Sequence, residues 1–434
     1  MALMHILFLS DNFPPEVNAP ASRTFEHCRQ WVEAGHQVTV VTCAPNFPAG
    51  KLMNGYRNRL WQEEEIAGIR VIRVWSYITA NDGFAKRTLD YLSYMVAGTI
   101  GALFVRKPDV IVGTSPQFFT AVAAWTVAFC KRRPWVFELR DIWPESIKTV
   151  GAAKDGIAIR LLERLEMFLY RASDRIVAVT YSFRDTLARR GIDPAKIDVV
   201  TNGVDLDNFA PRPKDAALLT ELNLEGRFVA GYIGTHGMAH ALETLLDAAG
   251  RLARDPKGRD IVILLLGDGA RKAALKAEAE ARGLDNLIFL DPVAKDQVGR
   301  YWSLLDASII HLRASELFET VIPSKMFEAL AMGIPILLGV RGEAAGILNR
   351  SGGGETFTPE NGEELAARLV AMREDPGLCR KYSAAGIASA PQYERRTLAG
   401  RLLDILVVVS ASGRGRGRAK ASSAPSAPDP RLDP

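Results

Sequence analysis

The first strand, helix and second strand are encoded by residues 5–42, which read HILFLSDNFPPEVNAPASRTFEHCRQWVEAGHQVTVVT. The apolar run at 5–10 ends at a proline-containing loop, a helical pattern continues to about Ala34, and Gly35 ends that helix. A second apolar run follows at 37–42. Nearly continuous runs of this kind are typical of strands that are buried on both faces. The segment therefore predicts a β-α-β unit of a parallel sheet covered by helices.

The same alternation of apolar runs and helical patterns continues along the chain and restarts after Pro213. Further strands are predicted at 71–75, 110–113, 135–139, 175–179, 197–200, 227–234, 261–267, 287–290, 307–311 and 335–340. Two successive α/β sheets joined near 205–215 are the simplest interpretation of this order. We therefore predict an N-terminal domain at 1–204, a C-terminal domain at 205–392, a terminal helix at 393–410 and a disordered tail at 411–434.

Charge is distributed unevenly along the 434 residues, although the net charge is only +4. The tail at 411–434 holds five Lys and Arg residues against two Asp, a net charge of +3. Residues 86–133 hold seven Lys and Arg residues against two Asp residues, a net charge of +5. A protein that binds nucleic acid along its whole chain would be more uniformly basic, so we expect no nucleic-acid partner. The 48% of apolar residues is typical of a folded enzyme or binding protein.

The loop after the first strand lies where open α/β sheets bind ligands, beyond the carboxyl ends of their strands. We expect Ser22 and Arg23 at the start of the following helix, where helix amides and a guanidinium would suit an anion. An ordinary connection with a capping serine explains the same residues. The loop lacks the G-x-G-x-x-G spacing of dinucleotide-binding dehydrogenases, which disfavours that class of enzyme.

Two glycine clusters follow predicted strands in the second half of the chain, one at 231–237 and one at 267–269. Glycine at such a turn lets backbone amides approach a phosphate closely. Gly234 and Gly237 form the better phosphate candidate because they open the second domain. Taken alone, either cluster is weak evidence for a phosphate site.

Arg140 and Asp141 directly follow the predicted strand at 135–139 and precede a Trp-Pro turn. Charged residues at a strand end lie at the ligand-binding edge of a parallel sheet, which favours a role in the cleft. A plain salt bridge between the two residues is the alternative interpretation.

The stretch VIPSKMFEALAMGIPILL at 321–338 predicts a short helix whose first turn carries Lys325 and Glu328. A Pro-Ser pair marks the start of this helix, and Gly333 marks its end. Because the two charged residues are three apart, they share one face. A lysine at a helix N-terminus suits a diphosphate, and a carboxylate accepts hydrogen bonds from a ribose diol. An exposed Lys–Glu pair without a ligand is the alternative.

Five motifs follow one another along the chain: TNGVDLDNFAP at 201–211, YIG at 232–234, LGDG at 266–269, LDPV at 290–293 and PSKMFEALAMGIP at 323–335. Together they resemble family 4 glycosyltransferases over roughly 5–408. This resemblance implies the α/β GT-B fold, in which two Rossmann-like domains face a cleft and the C-terminal helix returns to the N-terminal domain. RDIWPE at 140–145 and the Pro-Ser-Lys variant resemble the branch of WbuB-like bacterial fucosamine transferases.

The resemblance also implies where a nucleotide-sugar would bind. Glu328 matches the family position that holds the ribose hydroxyls, and Lys325 is the expected cation for the leaving diphosphate. Arg140 and Asp141 are implied to assist catalysis from the N-terminal domain. The other implied positions are Gly234, Thr235 and Gly237 for the diphosphate, Pro292 and Val293 for the base, Glu319 and Thr320 for the sugar, and Ser22 and Arg23 on the acceptor side.

Several positions depart from the family pattern. Thr320 stands where the family has the first acid of its Glu-x7-Glu motif, and Glu316 or Glu319 would have to replace that acid. Arg140 stands in place of a family histidine. The sequence Ala-Pro-Ala at 19–21 stands in place of a glycine pair. Recognition of the donor sugar is therefore expected to differ from the family's.

The resemblance implies a retaining transfer of a sugar, such as N-acetylfucosamine, from a UDP-sugar. The implied acceptor is a polyprenyl-diphosphate-linked or oligosaccharide chain in the biosynthesis of a surface polysaccharide such as O-antigen or capsule. No cofactor and no metal are expected. Thr235 and His240 replace a phosphate-binding Arg and Lys, so the leaving diphosphate would depend on Lys325. A nucleotide-sugar 2-epimerase and a non-catalytic GT-B scaffold subunit are the alternatives.

The basic segment at 86–133 contains apolar runs at 95–105 and 118–130, which are shorter than the roughly 20 residues that cross a bilayer. Bracketed by cations, they would suit docking on anionic lipid beside a lipid-linked acceptor. A pair of core helices with solvated basic ends is the alternative. The four cysteines are far apart, as is typical in a reducing compartment. We expect a cytoplasmic protein, peripheral at the inner face of the cytoplasmic membrane.

Overall fold

A computed structural model describes residues 3–16, 18–47, 50–79, 84–115, 117–142, 156–294 and 296–414. The chain divides into two compact units. The first comprises residues up to Thr201 together with those from Arg395 onward, and the second comprises Asn202–Glu394. The predicted tail lies outside the described residues from 415 onward, as do residues 143–145 of the RDIWPE motif.

The first unit is built on a sheet whose strands are β1 (His5–Leu9), β2 (Gln37–Cys43), β3 (Trp61–Ile66), β4 (Ile69–Val74), β5 (Val110–Thr114), β6 (Trp135–Leu139), β7 (Arg175–Ala178) and β8 (Ile197–Val199). Their order is β3-β4-β2-β1-β5-β6-β7-β8, and all neighbours pair in parallel except β3 and β4. The predicted parallel sheet is therefore confirmed. Strand β3 was not predicted.

Helices cover both faces of this sheet. They are α1 (Ala19–Glu33), α2 (Phe84–Phe104), α3 (Phe118–Lys131), α4 (Ile157–Ala172) and α5 (Tyr181–Arg189). Side chains of α2, α3 and α4 share one buried core with alternate residues of β1 and β5, such as Leu7 and Ile111. Ile6 and Val110 point to the opposite face, where Trp31 of α1 packs.

The second unit has a fully parallel sheet of β9 (Phe228–Ile233), β10 (Ile261–Leu266), β11 (Leu287–Leu290), β12 (Ala307–His311), β13 (Ile336–Gly339) and β14 (Gly354–Thr356). Its helices are α6 (Ala216–Glu221), α7 (Glu243–Arg254), α8 (Lys272–Ala281), α9 (Val298–Trp302), α10 (Glu316–Glu319), α11 (Lys325–Met332), α12 (Glu343–Ser351), α13 (Gly362–Glu374) and α14 (Pro376–Ser389). The strand order, β11-β10-β9-β12-β13-β14, is that of dinucleotide-binding α/β domains.

The terminal helix α15 (Arg395–Arg414) belongs to the first unit. Its apolar residues Leu398, Leu402 and Leu406 are buried in the same core as Ile6. The indole of Trp31 also donates a hydrogen bond to the carbonyl oxygen of Ala399 at 2.9 Å. The C-terminal helix therefore returns to the N-terminal sheet, as the resemblance implied.

Candidate active site

The strand order of the second sheet fixes where a ligand would bind. It reverses between β9 and β12, which are neighbours although the chain visits β10 and β11 between them. In open α/β sheets, ligands bind beyond the carboxyl ends of the strands at such a reversal. The loop after β9 begins with Gly234, and the chain after β12 leads to Lys325 at the start of α11.

Glycines let the loops after β9 and β10 lie against each other. The amide of Gly234 donates to the carbonyl oxygen of Leu266 at 2.9 Å. A Cβ atom at Gly267, whose φ is +149°, would lie 1.9 Å from the carbonyl oxygen of Gly234. A Cβ atom at Gly269, whose φ is +156°, would lie 2.5 Å from the carbonyl oxygen of His236. Both glycines are therefore required by the close approach of the two loops.

The ammonium group of Lys325 lies over this glycine-rich turn. Its Nζ atom is 3.8 Å from the centroid of the Tyr232 ring and 2.5 Å from the position that a Cβ of residue 234 would occupy. The Nζ atom is buried and has no hydrogen-bond partner within the described part of the chain. Burial lowers the pKa of Lys325 to about 7, while the charge of Glu328 acts in the opposite direction.

Helix α11 places this lysine as the sequence predicted. Its first residue is Lys325, Ser324 precedes it, and Gly333 ends it in the left-handed conformation with φ of +68°. Glu328 lies one turn along the helix and is half-buried. The first turn of α11 thus holds a partnerless amine and a carboxylate close together, and an anion would give that amine its missing partner.

Tyr232 is a site residue that the sequence did not reveal. Its side chain is fully buried at the end of β9, and its hydroxyl donates to the carbonyl oxygen of Thr235 at 2.8 Å. The face of the ring therefore makes a cation–π contact with the ammonium group of Lys325. The hydroxyl of the same side chain holds the predicted phosphate loop through Thr235. In the sequence, Tyr232 lies in an apolar run and resembles any core residue.

His236 is buried in the same loop between two predicted phosphate-binding residues, Thr235 and Gly237. Neither ring nitrogen has a hydrogen-bond partner among the residues that the structure describes. Burial, reinforced by the charges of Lys272 and Lys325, lowers the pKa of His236 to about 4. The ring is therefore neutral at physiological pH.

His240 and His311 connect the loop after β9 to the end of β12. The backbone amide of Glu360 donates to Nε2 of His311 at 2.8 Å, which leaves the proton on Nδ1. That Nδ1 donates to the carbonyl oxygen of His240 at 2.7 Å. Burial lowers the pKa of His240 to about 4. His240, which replaces a family lysine, thus supplies no positive charge near neutral pH.

Lys272 is a second lysine at this edge of the sheet, but its ammonium group already donates hydrogen bonds to neighbouring protein groups. Its Nζ atom donates to the carbonyl oxygens of Gly267 and Leu290 at 2.8 and 3.0 Å, and it pairs with Asp291 at 2.6 Å. These three contacts tie the ends of β10 and β11 together. Of these two lysines, Lys325 is therefore the one whose hydrogen-bonding capacity is not used by the described residues.

The remaining predicted donor-site residues lie in the loops after β11 and β12. Pro292 is exposed, and Val293 packs on the core of the second unit. The hydroxyl of Thr320 donates to the carbonyl oxygen of Leu317 at 2.7 Å, so it caps α10. A Cβ atom at Gly342 would lie 2.1 Å from the carbonyl oxygen of Glu319. The loops after β12 and β13 therefore lie close together, and residue 342 must be glycine for this approach.

On the first unit, the predicted start of α1 requires a correction. The helix begins at Ala19, because Asn18 caps it by accepting a hydrogen bond from the amide of Ala21 at 2.8 Å. Ser22 and Arg23 therefore lie inside the helix and not at its start. Sequence reasoning missed this start because Pro20 was assigned to the loop, although proline is well tolerated in a first helical turn.

Arg23 is buried, and its donors are used inside the first unit. It pairs with the buried Glu138 at 2.9 Å and donates to the carbonyl oxygens of Thr201 and Val200 at 2.6 and 2.8 Å. Burial alone would raise the pKa of Glu138, but Arg23 and Arg140 outweigh it and lower that pKa to about 2. These contacts join α1, β6 and the end of β8, and an acceptor-side role for Ser22 and Arg23 stays a prediction.

Arg140 lies beside this buried pair. Its guanidinium donates to the carbonyl oxygens of Pro20 and Ala19 at 3.2 and 3.1 Å, and its amide donates to Oγ of Ser115 at 2.8 Å. Burial lowers the pKa of Arg140 to about 10, so it remains a cation. Asp141 also donates its amide to Ser115. Arg140 therefore contacts the first turn of α1, where the sequence Ala-Pro-Ala stands in place of the family's glycine pair.

Comparison with known proteins decides the class of enzyme. The family described as Glycosyl transferase 4-like domain matches residues 18–203, and Glycosyl transferases group 1 matches residues 227–375. The chain is a glycosyltransferase. Together the two families match most of the described chain, and they support membership of family 4 with the GT-B fold.

Relatives agree with this family. The glycosyltransferase is 25% identical over 339 residues to WcaI of Escherichia coli K12, named for colanic acid biosynthesis, covering 76% of this chain and 82% of WcaI. It is 24% identical over 343 residues to a GDP-mannose-dependent alpha-mannosyltransferase of Mycobacterium tuberculosis, covering 78% and 79% of the two chains. Its fold matches that of Anabaena HepE in complex with UDP, with a TM-score of 0.68, 18% identity and coverage of 93% and 100%.

The described residues of the glycosyltransferase contain neither a cluster of metal-ligating side chains nor a membrane-spanning helix. In the parts of the glycosyltransferase that the structure describes, no three His, Cys, Asp or Glu side chains come together to hold a metal ion. Among those same residues, no helix is both long enough and apolar enough to traverse a bilayer. Metal-independent transfer stays a prediction.

Binding of a nucleoside diphosphate to the glycosyltransferase is expected to take up protons near pH 7. Lys325 has a pKa of about 7 in the free protein, and a diphosphate against its Nζ favours the charged form. Affinity for UDP is therefore expected to fall as pH rises from 7 to about 9, by up to about tenfold per pH unit. His236 and His240 are neutral over this range in the free protein because their pKa values are about 4.

Calorimetric titration with UDP in buffers of different ionisation enthalpy measures this uptake directly. We expect about half a proton to be taken up at pH 7 by the wild-type protein. The uptake should be absent from the Lys325→Met variant. Uptake that is equal in both proteins would assign the proton to another group.

Proposed function

We propose that this glycosyltransferase moves a sugar from a UDP-sugar to a saccharide or polyprenyl-diphosphate-linked acceptor with retention of configuration at the anomeric carbon. The observation that carries the proposal is the partnerless, buried Nζ atom of Lys325, which lies over the glycine turn at Gly234. A leaving diphosphate supplies the anion that this position lacks. Glu328, one turn along α11, would accept hydrogen bonds from the ribose hydroxyls.

The proposed reaction needs little acid or base chemistry from the protein. The bond from the anomeric carbon to the β-phosphate oxygen breaks, and a bond from the same carbon to the acceptor oxygen forms on the same face. The proton of the acceptor hydroxyl passes to the departing phosphate. Stabilising the negative charge that develops on the diphosphate is then the main task of the enzyme, and Lys325 is the group available for it.

Uridine is the base that we propose, and HepE, the structural neighbour solved with UDP, supports it. The mycobacterial relative named for GDP-mannose makes guanosine the competing base. We propose an acetamido-deoxyhexose such as N-acetylfucosamine as the sugar, because the motif at 140–145 resembles the WbuB-like branch. WcaI, named for colanic acid biosynthesis, supports a place in the assembly of a surface polysaccharide such as O-antigen or capsule.

A release assay across UDP-, GDP- and dTDP-sugars with lipid-linked and saccharide acceptors tests this function. We expect Glu328→Ala to raise the KM for the donor by about 10- to 100-fold, because a charged acceptor of two ribose hydrogen bonds is lost. Glu280→Ala, at an exposed glutamate of α8, is the matched control and should leave KM unchanged.

Three outcomes of this assay would contradict the proposed transfer. A donor KM that is normal in Glu328→Ala removes this residue from the ribose site. A sugar epimer formed without any acceptor identifies a 2-epimerase. Nucleotide binding without turnover of any donor identifies a scaffold subunit.

A further inference from the structure

The outward face of α2 is apolar. Val96, Ile100 and Phe104 are 54%, 53% and 71% exposed, and their spacing of four places them on one face of the helix. Leu89 lies seven residues before Val96 on the same face and is 51% exposed. The opposite side of α2 packs on the sheet through buried residues such as Tyr94. A helix that only covered a sheet would have a polar outer face, so this one is suited to a further apolar environment.

The neighbouring helices extend this apolar surface. Phe129 of α3 is 73% exposed and stacks on Trp125, with ring centroids 6.0 Å apart. Trp125 in turn contacts the ring of Phe168 of α4 at 5.1 Å, so α3 and α4 are joined through their aromatic residues. Leu161 of α4 is 56% exposed and Ile157 is 79% exposed.

Lys131 fixes α3 to α2 at their C-terminal ends. Its Nζ atom donates to the carbonyl oxygens of Leu103 and Val105 at 2.8 and 2.7 Å. Exposed apolar side chains of all three helices therefore form one surface of the first unit, here called the outer apolar face. It comprises Leu89, Val96, Ile100, Leu103, Phe104, Phe129, Ile157, Leu161 and Phe168.

Exposed cations border the outer apolar face. Arg106 and Lys107 follow α2, and Arg132 follows α3, so that these three lie beside Phe104 and Phe129. Along α4, Arg160 and Arg164 are exposed one turn apart. The same helix carries two acids. Glu166 is buried and pairs with Arg190, and Glu163 is half-buried, so the exposed arginines Arg160, Arg164 and Arg171 outnumber the acids on the surface of α4. Apolar area with a border of arginine and lysine is complementary to a negatively charged, apolar partner.

We propose that the outer apolar face docks on a bilayer surface that contains anionic lipid. The aromatic and aliphatic side chains would enter the boundary between head groups and acyl chains, and the bordering cations would contact lipid phosphates. A second copy of the chain fits less well, because its own outer apolar face is bordered by cations as well and offers no anionic partner for them. The proposal concerns the first unit alone and does not depend on the identity of the donor.

Flotation with vesicles of phosphatidylcholine alone, or with about one third phosphatidylglycerol, tests this docking. We expect the protein to float with the anionic vesicles at low salt and to be released in about 1 M salt, where the Debye length is ~3 Å. The triple variant Ile100→Ser/Phe104→Ser/Phe129→Ser should bind at least about tenfold more weakly. The triple variant Arg106→Glu/Lys107→Glu/Arg132→Glu should lose the preference for anionic vesicles.

A matched control comes from the opposite face of the same sheet. Val408 of α15 is 41% exposed and Arg401 is also exposed, so Val408→Ser/Arg401→Glu makes equivalent changes away from the outer apolar face. This control should float like the wild type. Circular dichroism, the melting temperature and UDP affinity, which reports on the second unit, show whether each variant is folded.

Two results would overturn the proposal. One is the absence of flotation with anionic vesicles at low salt, or flotation that the serine triple variant leaves unchanged. The other is a dimer in sedimentation experiments that the serine triple variant dissociates, without any vesicle binding, which would assign the surface to contact between copies. Because flotation needs no donor or acceptor, its failure is distinguishable from failure of the proposed sugar transfer.

Discussion

Replacing Lys325 by methionine is expected to lower kcat for sugar transfer by about 10²- to 10³-fold, which is the usual effect of removing one preorganised donor from a developing anion. The side chain of methionine fills similar space against Tyr232 but carries no charge. The buried amine has no hydrogen-bond partner among the described residues of the free protein, so it interacts with the diphosphate of the bound donor. That interaction strengthens as negative charge develops on the departing diphosphate. The expected loss therefore appears mainly in kcat, with a smaller change in the KM for the donor.

Lys276→Met is the matched control for this prediction. Lys276 lies exposed on α8 of the same unit, so its replacement removes one positive charge without touching the glycine turn. We expect kcat of this control to equal that of the wild type within about twofold, because exposed charges are screened by solvent. A Lys325→Met enzyme that turns over at the wild-type rate would contradict the assignment of the diphosphate site.

Replacing Gly267 by alanine is expected to abolish UDP binding and to lower the melting temperature. The new Cβ atom would lie 1.9 Å from the carbonyl oxygen of Gly234, and a φ of +149° is strained for any residue with a side chain. Strain of this kind costs about 1–3 kcal/mol of folding free energy before the collision is counted. The loop after β9 must move to relieve the collision, and it carries the predicted diphosphate contacts.

Gly283→Ala is the matched control, because it introduces backbone strain without displacing the loop after β9. Gly283 also has a positive φ, +63°, but a Cβ atom there would meet nothing within 4 Å. This control should lower the melting temperature slightly and bind UDP normally. Calorimetric titration with UDP and thermal unfolding measure both effects. Normal UDP affinity in Gly267→Ala would show that the two loops do not need to lie together for donor binding.

Most of the fold could be predicted from the sequence because parallel strands buried on both faces are nearly continuous apolar runs. The runs at 135–139 and 261–266 are examples, and both are strands in the structure. Strand β3 could not be predicted in this way. Its sequence is WQEEEI, and it lies at the edge of the sheet where every second residue is exposed. Its four central residues are all polar, so the sequence there shows no alternation of apolar and polar residues that would indicate a strand.

The helix that carries Lys325 was predictable because its start and end are marked by local residue types. The surroundings of Lys325 were not, because they come from a different strand. Tyr232 lies under the lysine only because β9 and β12 are neighbours in the sheet, although the two strands are far apart in the chain. The contact between Gly267 and Gly234 depends in the same way on the pairing of Leu266 with Ile233.

Arg23 shows the opposite case, in which a residue type suited to an anion is used inside the protein. Nothing near it in the sequence indicates that Glu138, more than a hundred residues away, is buried beside it. The spacing of residues along the chain therefore predicted which side chains lie near the carboxyl ends of the strands. It did not distinguish a guanidinium that is used in packing from an amine that is left without a partner.

Turnover measured by NMR on a UDP-sugar, with and without acceptor, tests whether the protein transfers the sugar with retention and depends on Lys325 to do so. We expect acceptor-dependent release of UDP, a product with the same anomeric configuration as the donor, and loss of both in the Lys325→Met enzyme. Release of UDP at the same rate with and without Lys325, or an inverted product, would contradict it.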